Sequence, residues 1–321
     1  LTALAPHFSG DCRGIALGAS AADVAVDRAR RLAYLTYLDR SGEKQGKPAL
    51  GTVMLVDLNV PTPRPRAALS ADPPAFSPQA ISLYTPPSGP QRLFVISRAR
   101  AGRSTIEILE QTSTGAFAPL ETLHDPLLVA PRAILAVGPR QFYVANESAG
   151  GGRLQRLADL LWRRARSSVD YFDGKTMRSV VTQFGSGTGI AASPDLAHVY
   201  VSEAFARRVV AYTRDAASGE LRIEHTVDLA SMPGQISVDE SGTLWVAAQP
   251  KTLAYLRHLR NPSRPAPAQV FSIPPATWQV KEEYLDLGGQ LSAASVAALV
   301  GKTLLIGAAA EHKMLLCQPS G

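Results

Sequence analysis

No run of about 18 apolar residues occurs in the 321-residue chain, so no segment reads as a membrane-spanning helix. Aromatic residues make up only 7%. Cysteine is scarcer still, with Cys12 near one end and Cys317 near the other. Neither lies in a CxxC pair or beside a histidine at ligand spacing, which argues against a zinc module. Helical periodicity is nearly absent. Turn chemistry is abundant instead, with 25 glycines and 24 prolines in a chain that is 45% hydrophobic. Mean hydropathy is near zero. Together these features predict a globular, largely β protein with a sizeable core.

The net charge is +6 and the pI about 9.4, values that suit nucleic acid or an anionic membrane surface. The basic residues are mostly scattered arginines, however. No RNP-type motif, zinc finger or basic helix–turn–helix accompanies them, so nucleic acid is not an expected partner. The opening LTALAPHFSGDC has no leader pattern and is compatible with a mature end left after cleavage. The two cysteines are either unrelated buried thiols or a disulfide joining the first and last segments. A loop that long would contribute at most roughly 5 kcal/mol in the chain-entropy model, and the bond would imply an oxidising compartment.

A hairpin pattern recurs along the whole chain. Each copy has a small or polar pair, an aliphatic residue, an alternating strand, a turn and a second strand. The copies are ADVAVDRARRLAYLTYL, QAISLYTPPSGPQRLFVIS, RAILAVGPRQFYVANE, TGIAASPDLAHVYVSE, GQISVDESGTLWVAAQ and ASVAALVGKTLLIGAA. Their aliphatic positions are Val24, Ile81, Ile134, Ile190, Ile236 and Val296. The spacing suits one four-stranded propeller blade per copy. The prediction is therefore an all-β fold, a single six-bladed β-propeller over 1–321, with hairpins starting near 23, 80, 133, 189, 235 and 295. Ring closure requires the two terminal segments to meet in one blade, and a Cys12–Cys317 bond would lock it. The residue pairs preceding the innermost strands then surround one tunnel mouth. The first residue of each pair is Ala22, Gln79, Arg132, Thr188, Gly234 or Ala294; the second is Asp23, Ala80, Ala133, Gly189, Gln235 or Ser295.

These stretches carry a resemblance. GTVMLVDLN, PQAISLY, STIEIL, AILAVGPRQFYVANE, GIAASPDLAHVYVSEAFARRVVAY, QISVDESGTLWVAAQP and GKTLLIG…HKMLLC resemble, in order and over nearly the whole chain, the paraoxonase/arylesterase family. That family belongs to the wider propeller group of gluconolactonases and strictosidine synthases. The resemblance implies a terminal disulfide at Cys12 and Cys317. It also implies calcium in the tunnel, held by Glu, Asn and Asp residues at the ring positions. Here the family's Glu matches Ala22, its two Asn positions match Arg132 and Thr188, and its Asp-Asn pair matches Gly234-Gln235. Only Asp23 remains, as a remnant of a second, structural calcium site whose other carboxylate matches Ala133. The family's histidines match Gln79, Arg98 or its neighbour, and Gln249. The six histidines of this chain, His7, His124, His198, His225, His258 and His312, lie elsewhere and read as surface or packing residues.

The expectation is therefore a site without calcium or any other cofactor. Arg132 would supply positive charge and a planar donor fork. Gln79 and Glu147 complete the catalytic candidates, with Glu147 moving protons if desolvated. Arg98, Thr188, Gln235 and Gln249 would bind substrate. Against this, Arg132 would plug the tunnel by pairing with Asp23 or Glu147. Glu203 reads as a structural partner of Arg207 or Arg208. The segment GRLQRLADLLWRRARSSVDYF predicts an amphipathic lid helix over about 153–166, with Leu154, Leu157, Ala158, Leu161 and Trp162 on one face and Arg156, Arg163 and Arg166 on the other. In the family such a helix meets membrane or lipoprotein, so an anionic membrane surface is an expected partner beside a small-molecule ligand. Three readings follow: a metal-independent enzyme acting on a small, partly apolar ester, lactone or other carbonyl compound; a ligand-binding or scaffold protein that has lost the chemistry; and a calcium hydrolase with ligands at other positions. The expected location is periplasmic or extracellular, at a membrane surface if the helix binds one.

Overall fold

Six antiparallel sheets stand around one axis in the computed structural model, which describes residues 4–39, 49–98, 104–147 and 167–319. Blade I contains β3 (Val24–Asp27), β4 (Leu32–Asp39), β5 (Leu50–Asp57) and β6 (Arg66–Ala67). Blade II contains β7 (Pro78–Tyr84), β8 (Arg92–Arg98), β9 (Ser104–Gln111) and β10 (Phe117–Leu123). Blade III contains β11 (Pro131–Ala136), β12 (Phe142–Asn146), β13 (Ser167–Phe172) and β14 (Met177–Phe184). Blade IV contains β15 (Gly187–Ala192), β16 (His198–Glu203), β17 (Arg208–Arg214) and β18 (Leu221–Asp228). Blade V contains β19 (Met232–Val238), β20 (Leu244–Gln249), β21 (Ala268–Ile273) and β22 (Lys281–Asp286), with β1 (His7–Phe8) added at its edge. Blade VI contains β23 (Ala294–Val300), β24 (Thr303–Ala308), β25 (Lys313–Pro319) and, from the other end of the chain, β2 (Gly10–Ala16). The fold is a six-bladed β-propeller.

Closure is the antiparallel pairing of β2 with β25, in which Cys12 lies directly opposite Cys317. The two form a disulfide. It joins neighbouring strands that are 305 residues apart in sequence.

The apolar residues explain the ring. Each middle strand is buried on both faces, so it reads as a continuous apolar run rather than an alternation. In β20, Leu244, Val246 and Ala248 pack toward blade IV, while Trp245 and Ala247 pack toward blade VI. The other gaps are filled in the same way, giving one apolar cluster between each pair of neighbouring blades. Among the described residues one helix occurs, α1 (Thr252–Arg260), between β20 and β21. The predicted helix over 153–166 lies outside the described residues.

The innermost strands all begin on one face, the entrance face. Pairs such as Pro78 with Ser97 and Met232 with Gln249 bring the ends of the second strands to the same face. Helix α1 is therefore on this face too.

Candidate functional site

Five of the six innermost strands are irregular at the ring positions. Register shifts fall between Pro78 and Ala80, Pro131 and Ala133, Gly187 and Gly189, Pro233 and Ile236, and Ala294 and Val296. A bulge leaves its extra residue out of the ladder and re-aims its side chain. The residues so released are Gln79, Arg132, Thr188, the pair Gly234-Gln235, and Ser295. The prolines at 78, 131 and 233 suit this position, since a bulge tolerates a missing backbone donor.

Neighbouring inner strands approach closely here. A Cβ on Gly189 would lie 2.7 Å from the Gly234 carbonyl oxygen, and one on Gly234 would lie 2.9 Å from that of Ser295. Side-chain oxygens stitch the same ring. Ser202 Oγ donates to Gly234 O at 2.6 Å, Ser295 Oγ to Ala22 O at 2.9 Å, and Thr188 Oγ1 to Pro233 O at 3.0 Å. Gly234, which stands where the resemblance places an acidic ligand, is thus required by packing.

Arg132 and Glu147 form the charged centre. Arg132 Nε donates to Glu147 Oε2 at 2.7 Å, with the two side chains 47% and 31% exposed. No described residue takes either Nη of Arg132. Of the partners foreseen for Arg132, the structure shows Glu147 and not Asp23. Glu147 is held in place from behind. Its backbone N–H donates to Ala130 O at 2.9 Å. The preceding Asn146, which is buried, accepts from Ala130 N and donates to Leu127 O and to the buried Asp170. Gln235 reaches across from blade V and donates to the Arg132 carbonyl at 3.2 Å. Gly189, between them on blade IV, leaves room for that reach.

The other candidates are more committed. Gln79 turns its amide back onto Ser77, to the carbonyl at 3.1 Å and the hydroxyl at 3.3 Å. The Thr188 hydroxyl also meets Ser202 Oγ at 3.1 Å. Gln249 is buried between blades V and VI, donates to Ala294 O and leaves its Oε1 without a partner. Arg98 ends β8 in an exposed position, its N–H donating to Ser77 O at 3.0 Å. Glu203 is buried and pairs with Arg208 at 3.0 Å. His258, in α1, is fully buried and its Nδ1 lies 2.8 Å from Arg264 O.

Asp23 is buried and accepts from Val24 N at 2.9 Å and Ile81 N at 3.0 Å. Burial pushes its carboxyl up to about 7, against the lowering effect of those two N–H groups. A carboxyl whose folded pKa is raised adds stability below its ordinary pKa near 3.8, and that stability is lost as pH rises toward about 7. Wild type is therefore expected to lose up to about 4 kcal/mol between pH 4 and 8 from this group. Asp23→Asn should flatten that slope, read as unfolding free energy against pH. Equal slopes in the two proteins would show that Asp23 does not titrate in this window.

Among the described residues, the donors at the ring positions do not fit calcium. A hard dication takes six to eight oxygens, several of them anionic. At the ring positions the one carboxylate, Asp23, is already engaged by two backbone N–H groups, and Glu147 beside the ring is paired with the guanidinium of Arg132. Among the described residues no group of three His, Cys, Asp or Glu side chains converges on a point.

The entrance face is apolar at its rim. Among the described residues ten large hydrophobic side chains are exposed, and seven of them lie there: Leu50, Val129, Phe205, Leu253, Leu256, Leu259 and Leu287. Three are on α1, a helix that sequence periodicity did not single out. Its leucines at three-residue spacing directly after Pro250 were the available signal.

Comparisons with known proteins agree with this architecture. The sequence profile described as Arylesterase matches residues 43–318. Human serum paraoxonase/arylesterase 1 is 28% identical over 275 residues, covering 84% of this chain and 77% of that protein. Human serum paraoxonase/lactonase 3 is 25% identical over 280 residues, covering 84% and 77%. Among solved structures, a gluconolactonase of Xanthomonas campestris superposes with a TM-score of 0.59 at 16% identity, covering 98% of this chain and 91% of that one.

Proposed function

The chain belongs to the arylesterase family, and from that premise we propose that it hydrolyses small, partly apolar esters or lactones at a metal-free site centred on Arg132. One observation carries the proposal: Arg132 gives its Nε to Glu147, and among the described residues none takes its Nη groups at the tunnel mouth. In the transition state for water attack, negative charge develops on the substrate's carbonyl oxygen. The Nη donors would stabilise that charge. Glu147 would take a proton from the attacking water as the new C–O bond forms. It would return that proton to the leaving alkoxide as the ester C–O bond breaks, giving carboxylic acid and alcohol. Gln235, tied to the Arg132 carbonyl, would fix the height of the guanidinium.

Glu147→Gln tests this assignment, since glutamine retains an acceptor for Arg132 Nε but is a far weaker base. The expected result is a fall in kcat of roughly 100-fold or more, with KM little changed. An unchanged kcat would remove Glu147 from the chemistry. A second reading, a ligand-binding protein without turnover, is favoured by the internal hydrogen bonds of Gln79, Thr188 and Gln249. Saturable binding of an ester analogue without hydrolysis would support that reading.

A further inference from the structure

The opposite end of the ring, where the innermost strands finish, holds a second arginine site. Arg28 follows β3 in the turn of blade I. It lines a cavity of about 340 Å³ together with Ala192, Pro194, Val238, Asp239 and Glu240. These residues come from the equivalent turns of blades I, IV and V, and blades I and IV face each other across the axis. The cavity therefore lies at the far mouth.

Arg28 is poorly satisfied there. Its Nε is buried without a hydrogen-bond partner. Burial holds its pKa below the ordinary arginine value, against the raising influence of Glu240 and Asp239. Asp239 is not available to pair with it. One carboxylate oxygen accepts from Ser241 N, Ser241 Oγ and Thr243 N, and the other accepts from Trp245 Nε1 at 2.9 Å. Glu240 is exposed and makes no ion pair with Arg28. A half-buried guanidinium with no described residue as its acceptor calls for an oxyanion, which its planar fork binds through two parallel N–H···O bonds. Ala192, Pro194 and Val238 supply apolar walls. They favour an anion with a short hydrocarbon body over a strongly hydrated one such as phosphate.

We propose that the far mouth is a binding site for a small monocarboxylate, held by Arg28 against the Ala192–Pro194–Val238 wall. This site is separate from the Arg132 site and does not depend on the chemistry proposed there.

Calorimetry on the full chain tests it with butyrate, uncharged butyramide and inorganic phosphate as probes. Butyrate should bind saturably and butyramide should not, with phosphate weaker than butyrate. Arg28→Gln should weaken butyrate at least roughly tenfold, the loss expected for one charge-assisted bidentate contact. Arg28→Lys, keeping charge without the fork, should fall between. Arg132→Ala should bind butyrate as wild type does, and Glu240→Gln should bind it more tightly by removing a competing negative charge. The proposal is overturned if wild type does not bind butyrate, or if Arg132→Ala removes binding while Arg28→Gln leaves it. Loss of stability in Glu240→Gln would also overturn it, since Glu240 would then be the partner of Arg28.

Discussion

Arg132→Ala should lower kcat on an aryl ester or lactone by roughly 100- to 1,000-fold, the usual cost of losing an oxyanion donor in a preorganised site. The loss should not come from unfolding. Both side chains of the Arg132–Glu147 pair are substantially exposed, at 47% and 31%, and an ion pair of that kind contributes about 0 to 1 kcal/mol to stability. Water would solvate Glu147 once the guanidinium is gone. Arg132→Lys should recover only part of the rate, because an ammonium keeps the charge but not the fork. The Gln235 contact is to the Arg132 backbone carbonyl, so it survives both substitutions. If Arg132→Ala turned over substrate at the wild-type rate, the electrostatic role assigned to it would be wrong.

Removing the disulfide should have the largest effect on stability. Cys12 and Cys317 face each other across the two strands that close the ring. Without the bond, the unfolded chain regains the freedom of a loop spanning nearly all of its length. The chain-entropy model puts this at about 5 kcal/mol as an upper limit. Cys12→Ala combined with Cys317→Ala should therefore lower the denaturant midpoint, and reduction of wild type with dithiothreitol should lower it by the same amount. Alanine suits the fully buried position 317 better than serine, whose hydroxyl would need a partner. Midpoints that do not move would mean that strand pairing and the apolar cluster between blades VI and I hold the closure unaided.

Much of the ring was legible in the sequence. The six hairpins stand out because glycine, proline and aspartate turns interrupt strands at blade-length intervals, and because a ring of equal parts must repeat. The terminal closure followed from the same logic. The bulges were not legible, since a register shift depends on the partner strand, and they decide where Arg132, Thr188 and Gln235 point. The partner of Arg132 was open between Asp23 and Glu147 for a related reason: Glu147 is brought near by Asn146 and Asp170, from strands that sequence alone does not place. Gln249 was expected to bind substrate; the alternation along β20 turns it toward blade VI, where it donates to Ala294 O. Helix α1 was too short for its periodicity to register against the surrounding strands. Arg28 carried no signal in AVDRARRL, because the rest of its cavity comes from turns more than 150 residues further along the chain.

The most direct test of the central claim, that this ring works without calcium, is hydrolysis of a panel of aryl esters and lactones. The panel would be run with excess calcium and again after exhaustive treatment with EDTA. The same kcat/KM is expected in both conditions for every substrate turned over. Activity that EDTA abolishes and calcium restores would contradict it, and would mean that oxygen ligands other than those at the ring positions hold the metal.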